Sequence, residues 1–239
     1  MDLTIDRNFK KVMDDIDSYC NLFNRERESV KLIVVTKSQP SEKIDQVIAA
    51  GARYLGENYP EETSEKKSNL INLPEDLEWH MIGHLQSRKS QLVINEFTMM
   101  HSLDSVKLAK RLDRQLKAED KKFPVLLQFN VGGEDSKFGW NASDKKNWSS
   151  VISEVAEVVN CSNLVIEGLM TMPPFTSNEA ESRIYFKKLR ELGQYLQSEF
   201  PELYIKEYSM GTSHDFKMAI AEGATMIRIG TAIMGSREK

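Results

Sequence analysis

The residues able to do chemistry lie at the ends of apolar runs. Lys37 closes the stretch L-I-V-V-T-K at residues 32–37, and a lysine amine there can form a Schiff base with a carbonyl. Arg228 lies inside a second apolar run, I-R-I-G-T at residues 227–231. A buried guanidinium needs a partner, which is either a structural carboxylate such as Glu57 or Glu207, or a ligand atom. Two glycine turns, M-G-T-S at residues 210–213 and Gly230-Thr231, offer backbone N–H groups of the kind that hold phosphate. Gly211 permits close backbone approach, and Thr212 or Ser213 is expected to cap a helix starting at His214. His80 and His84 stand four apart in W-H-M-I-G-H, but they flank a strand end and a glycine, not one helical face. No C-x-x-C, H-E-x-x-H or carboxylate triad accompanies them, so no metal site is expected.

The elements that must position these residues follow from periodicity. Residues 2–27 carry apolar side chains at helical spacing among charges, which predicts a leading amphipathic helix over 1–27. From residue 32 the chain alternates between strand and helix. Strands are expected at 32–36, 53–55, 78–82, 97–101, 124–131, 164–170, 204–209 and 225–229. Helices are expected at 41–50, up to 71, 104–119, 144–159, 178–199 and 214–222. Eight such strands predict a (β/α)8 TIM barrel over 32–230, in an α/β single domain of residues 1–239. An open doubly wound sheet would call for a G-x-G-x-x-G turn after the first strand, and none is present.

In a barrel the C-terminal strand ends form the functional mouth. Those ends are Lys37, Asn58, His84, Ser102, Asn130, Met170, Ser209 and Gly230-Thr231. The expected cofactor-binding set is Lys37, Asn58, His84, Met170, Ser209, Gly211, Ser213, Arg228, Gly230 and Thr231. A Schiff-base lysine, an arginine facing a pyridine nitrogen and a phosphate cup after the last two strands are the parts of a pyridoxal phosphate site.

Composition narrows the setting. A net charge of −4 with scattered basic pairs argues against a nucleic-acid partner. The first residues lack the apolar stretch of a signal peptide, no segment is long and apolar enough for a membrane span, and Cys20 and Cys161 give no disulfide framework. A cytoplasmic protein is expected, in which the N-x-S/T matches at Asn141, Asn147 and Asn160 arise by chance.

The motifs V-V-T-K-S-Q-P, G-E-N-Y, W-H-M-I-G-H-L-Q-S-R-K, H-S-L-D-S, V-L-L-Q-F-N-V, G-L-M-T-M-P-P, S-M-G-T-S-H-D-F and R-I-G-T-A-I-M-G-S-R occur in that order. With them the chain resembles the pyridoxal phosphate homeostasis proteins, single-barrel relatives of the N-terminal domain of alanine racemase. The resemblance implies that Lys37 carries pyridoxal 5'-phosphate as a covalent aldimine. It also implies that Ser213, Gly230 and Thr231 hold the phosphate, that Arg228 faces the ring nitrogen and that Asn58 lies near the ring hydroxyl. Pro60 and Thr212 depart from the family pattern without touching Lys37 or Arg228.

The expected function is therefore binding and handling of pyridoxal phosphate for the cell without efficient catalysis, by a monomer whose partners are the cofactor and the apo-enzymes that use it. The alternative is an amino-acid racemase, and a weaker third reading is a sugar-phosphate enzyme using Lys37. Racemisation needs an acid/base group on each face of the substrate. Only ten residues follow the eighth strand, too few for a second domain to supply the other base.

Overall fold

The computed structural model describes residues 3–71 and 73–235. The Ser236-Arg237 end of the last motif, and the first two residues of the span expected to form the leading helix, lie outside them. The leading helix α1 spans Leu3–Leu22. Its residues Ile5, Phe9, Val12, Ile16 and Cys20 are buried at spacings of three to four, which is one helical stripe. That stripe packs on α2 (Ser41–Ala49) and on two short helices late in the chain, α8 (Phe216–Ala221) and α9 (Thr231–Met234).

The strands are β1 (Lys31–Val35), β2 (Tyr54–Glu57), β3 (Glu78–Met81), β4 (Met99–Leu103), β5 (Phe123–Asn130), β7 (Leu164–Thr171), β8 (Glu207–Ser209) and β9 (Met226–Ile229), with a two-residue strand β6 (Trp140–Asn141) on the edge of β5. Every pairing is parallel, running β1-β2-β3-β4-β5-β7-β8-β9 and back to β1. The barrel is therefore closed and leaves no open edge in its wall. The outer helices are α3 (Pro60–Asn69), α4 (Ser90–Glu96), α5 (Val106–Ala118), α6 (Trp148–Val159) and α7 (Glu179–Glu199), with α2 and α8.

Strand alternation sorts the core into two layers. Leu32, Val34, Leu55, Trp79, Met81, Ile227 and Ile229 join the large cluster between barrel and helices. Ile33, Met99, Leu126, Met170 and Met226 form a small separate cluster inside the barrel.

The structure differs from expectation at several element ends. The fourth strand begins at Met99, because Phe97 closes α4 through its N–H to the Val93 carbonyl. The seventh barrel strand is only Glu207–Ser209. Leu203 and Ile205 are buried, but their alternation comes from packing beside the wall without a ladder. The helix expected at 214–222 spans Phe216–Ala221. Asp215 sets that start, since its carboxylate accepts from both the N–H (2.6 Å) and the hydroxyl (3.0 Å) of Thr212. Neither Thr212 nor Ser213 caps the helix.

Candidate functional site at the barrel mouth

The end of β1 is held from outside the barrel. Thr36 points outward and its hydroxyl donates to Glu57 Oε1 at 2.7 Å. Lys66 of α3 reaches in and donates to the same oxygen (2.6 Å) and to the Thr36 carbonyl (2.9 Å). Burial pushes the Glu57 carboxyl above its ordinary range, and the Lys66 charge opposes that push. With Thr36 pinned outward, alternation turns Val35 and Lys37 toward the barrel axis, where both line a cavity of about 520 Å3 at the mouth.

Arg228, on the neighbouring strand β9, lines the same cavity although it is only 3% exposed. Glu57 and Glu207 are both engaged elsewhere, Glu57 with Lys66 and Glu207 with Lys31 at 3.0 Å. The guanidinium instead donates through Nη1 to Ser209 Oγ (2.5 Å) and through Nη2 to the Thr171 carbonyl (2.9 Å) and Met172 Sδ (2.8 Å). Among the described residues it forms no salt bridge. Burial draws its pKa down to about 10, and Asp215 is the carboxylate that resists this. A buried cation that meets only neutral groups suits a ligand acceptor at the mouth.

Of the ten expected site residues, Lys37, Asn58, His84, Met170, Ser213, Arg228, Gly230 and Thr231 line the cavity. Ser209 is fully buried below it, under Arg228. Gly211 carries the turn that leads to Ser213. Its φ is +93°, its carbonyl accepts from the Arg228 N–H, and a Cβ there would lie 2.5 Å from that of Ala219. Ser102 and Asn130 serve the loops, Ser102 through its hydroxyl to the Gly83 carbonyl and Asn130 through its amide to the Glu134 carbonyl.

Gln128, Ser136, Lys137, Phe138, Met172 and His214 also line the cavity and are not strand-end positions that sequence reasoning selected. The segment after β5 folds over the mouth because the Asn130 side chain ties down Gly133 and Glu134. That places Phe138 flat on His84, with ring centroids 3.7 Å apart and 5° between planes. The glycine-rich composition of residues 131–139 was the one sequence signal for such a loop.

No carboxylate lines the cavity among the described residues, whereas Lys37, Lys137 and Arg228 do. An amine, a guanidinium, two hydroxyls (Ser213 and Thr231) and the start of α9 face one space. The volume is in the usual range for a small-ligand pocket. This donor set fits an anionic ligand that also carries a carbonyl.

A closed barrel with a leading helix, whose mouth collects a lysine from the first strand and an arginine from the last, defines a class of single-barrel proteins built like the first domain of alanine racemase. The chain belongs to the family described as alanine racemase, N-terminal domain, matched over residues 16–238, and within it to the pyridoxal phosphate homeostasis proteins. One such protein, from Haemophilus influenzae, is 36% identical over 235 residues, covering 98% of this chain and 97% of its own. Another, from Vibrio alginolyticus, is 38% identical over 238 residues with 98% of each chain covered. The structure of PipY from Synechococcus elongatus with pyridoxal phosphate bound superposes with a TM-score of 0.79 at 35% identity, covering 92% of this chain and 99% of that one. An alanine racemase of Clostridium difficile shares the fold, with a TM-score of 0.68 at 18% identity, over 95% of this chain and 56% of its own.

Proposed function

We propose that the mouth cavity binds pyridoxal 5'-phosphate and that the protein holds this cofactor for supply to the cell's apo-enzymes without efficient catalysis of its own. The observation that carries this reading is the cation-lined, carboxylate-free cavity shared by Lys37 and Arg228. The names of the full-length relatives support it, as does the cofactor bound in PipY. When bound, pyridoxal phosphate supplies an aldehyde that condenses with amines and a ring that withdraws electrons.

In this reading Lys37 Nζ is the covalent attachment point, held at the end of β1 by the Thr36–Glu57–Lys66 contacts. Ser213, Gly230 and Thr231 hold the phosphate, using hydroxyls and the N–H groups that begin α9 and have no intrahelical acceptor. Arg228 faces the ring nitrogen. A fixed positive charge there disfavours protonation of that nitrogen and so weakens electron withdrawal. Asn58 lies beside the ring hydroxyl, and Phe138 on His84 shields one side of the mouth.

A racemase reading would require a second acid/base group facing Lys37 across the substrate. The likeness to racemases is one of fold, over little more than half of their length.

One experiment tests both halves of the proposal. The protein loaded with pyridoxal phosphate is reduced with borohydride and digested, and is separately incubated with L- and D-amino acids in deuterated water. The expected result is a cofactor-bearing peptide containing Lys37, absent from Lys37→Ala, with α-proton exchange well below the ~1 per second of ordinary enzymes. Label on another lysine would overturn the attachment, and exchange with inversion at enzymatic rates would overturn the non-catalytic role.

A further inference from the structure

Below Arg228 a continuous line of polar side chains descends inside the barrel. Ser209 Oγ, which accepts from Arg228 Nη1, also lies 2.8 Å from His101 Nδ1. His101 Nε2 is 2.8 Å from His80 Nδ1, and His80 Nε2 is 3.1 Å from Glu78 Oε2. Ser209 and His101 are fully buried and His80 is 1% exposed, whereas the Glu78 side chain is 43% exposed. Glu78 is the first residue of β3, so the line joins the mouth to solvent at the opposite end of the barrel.

The chemistry of the two ends fixes its direction. A guanidinium can only donate, and an ionised carboxylate can only accept. The hydrogen bond from His80 holds the Glu78 carboxyl below its usual range, so it is ionised at neutral pH. His80 then carries a proton on Nε2, and as a neutral imidazole it accepts at Nδ1. His101 in turn donates from Nε2 and accepts at Nδ1 from the Ser209 hydroxyl, which accepts from Arg228. Every link is satisfied with both imidazoles neutral and in one tautomer. Burial first, then the repulsion that a proton on His101 would meet from the basic groups His80, Arg228 and Lys31, keep His101 well below the ordinary imidazole range.

The neighbours facing the line are few. Lys31 of β1 pairs with Glu207 of β8 at 3.0 Å. Tyr54 of β2 meets His80 edge-on at a centroid distance of 5.8 Å. Asp215 acts on Arg228 from the mouth. Ile33, Met99, Leu126, Met170 and Met226 fill the rest of the interior with apolar atoms that offer no competing partner.

We propose that Ser209, His101, His80 and Glu78 are positioning residues for Arg228, acting as one directed hydrogen-bond line that fixes the guanidinium in place and makes the mouth responsive to the acceptor at the barrel's far end. Its link to the ring nitrogen rests on the cofactor reading above. Reversing the line from the far end brings a second donor, His101 Nδ1–H, onto Ser209 Oγ beside Arg228. Ser209 Oγ then accepts from both and its own proton has lost its acceptor, so the hydroxyl turns, its hold on the guanidinium loosens and the ring nitrogen gains proton affinity.

The test uses 15N-histidine-labelled full-length protein without cofactor, and the same protein loaded with pyridoxal phosphate labelled at the ring nitrogen. In the wild type, His80 and His101 are expected as neutral Nε2–H tautomers, with His101 not titrating between about pH 6 and 8. Glu78→Gln, whose amide oxygen still accepts, is expected to keep both tautomers and a ring-nitrogen midpoint within about twofold of wild type in proton affinity. Glu78→Lys, which can only donate, is expected to turn both histidines to Nδ1–H and raise ring-nitrogen proton affinity about tenfold, one pH unit. Ser209→Ala, cut next to Arg228, is expected to raise it similarly.

An Nδ1–H wild-type histidine on either residue overturns the line, and this reading stands even if the lysine variant fails to fold. Unchanged ring titration in both Glu78→Lys and Ser209→Ala overturns the positioning role. If borohydride fails to fix the cofactor to wild-type Lys37, the cavity reading has failed, and the cofactor-free tautomers still decide whether the line exists.

Discussion

At the scale of single residues, what distinguishes this mouth is that the hydrogen bonds of its buried guanidinium go to neutral partners. Arg228 spends two nitrogens on a hydroxyl, a carbonyl and a thioether. Among the described residues no carboxylate hydrogen-bonds to it, Asp215 acting only through space, and an anionic or acceptor ligand gains from its charge. Ser213 lines the same cavity, within the turn that Asp215 and Thr212 build. A hydrogen bond from a hydroxyl to a charged phosphate is worth roughly 1.5–3 kcal/mol, or about tenfold or more in affinity. Ser213→Ala is thus expected to raise the dissociation constant for pyridoxal phosphate about tenfold, measured by equilibrium dialysis, while borohydride still fixes the cofactor to Lys37. Unaltered affinity would place the phosphate elsewhere in the cavity.

At the scale of elements, the site depends on how closely β7 approaches β8. The register between β5 and β7 slips at Glu167, so that Val125 pairs with Ile166 but Leu126 with Gly168. The slip brings Gly168 against Glu207, and a Cβ at Gly168 would lie 1.9 Å from the Glu207 carbonyl oxygen. Backbone cannot yield as a flexible side chain would. Gly168→Ala is expected to cost at least about 2–3 kcal/mol in denaturant unfolding, the upper part of the range for overpacking. It also pushes β8 outward, which carries Ser209 two residues further on, so cofactor affinity should fall together with stability. A variant as stable as wild type would show that β8 has room to move.

At the scale of the whole molecule, the barrel interior is a polar line set in an apolar sleeve, and folding must keep it dry and unprotonated. His101 carries a folded-state pKa well below the ordinary 6.5 because it is buried among positive neighbours. Above about pH 6.5 it is neutral in both the folded and unfolded chain and contributes no slope. As pH falls below that value the unfolded chain binds a proton that the folded one refuses. Stability then drops by about 1.4 kcal/mol per pH unit from this residue until the folded pKa is reached. His101→Gln is expected to be less stable at neutral pH and to lose one proton's worth of that acid slope, read from urea midpoints between about pH 5 and 7.5. An identical slope in the variant would mean that His101 titrates normally in the fold.

Much of this was already written in the chain. Near-continuous apolar runs such as the one ending on Lys37, alternating with segments of helical spacing, indicate a parallel barrel, because strands covered on both faces have no polar side to show. That is why Lys37 could be placed at a strand tip on the mouth, whereas Arg228 was legible only as a buried cation on either face of its strand, with a place at the cofactor ring that the family resemblance implied. Three things required the tertiary structure. The partner of Arg228 was open between a carboxylate and a ligand, and only the packing of β8 against β9 showed that Glu207 goes to Lys31 and the guanidinium to Ser209. The part of the mouth made by Lys137 and Phe138 depends on side-chain hydrogen bonds of Asn130, which leave no periodic trace. The line from Glu78 to Arg228 joins residues from β3, β4, β8 and β9, spaced up to 150 apart in sequence. Each looks like an ordinary polar residue in its own strand, and only closure of the barrel brings their inward faces into contact.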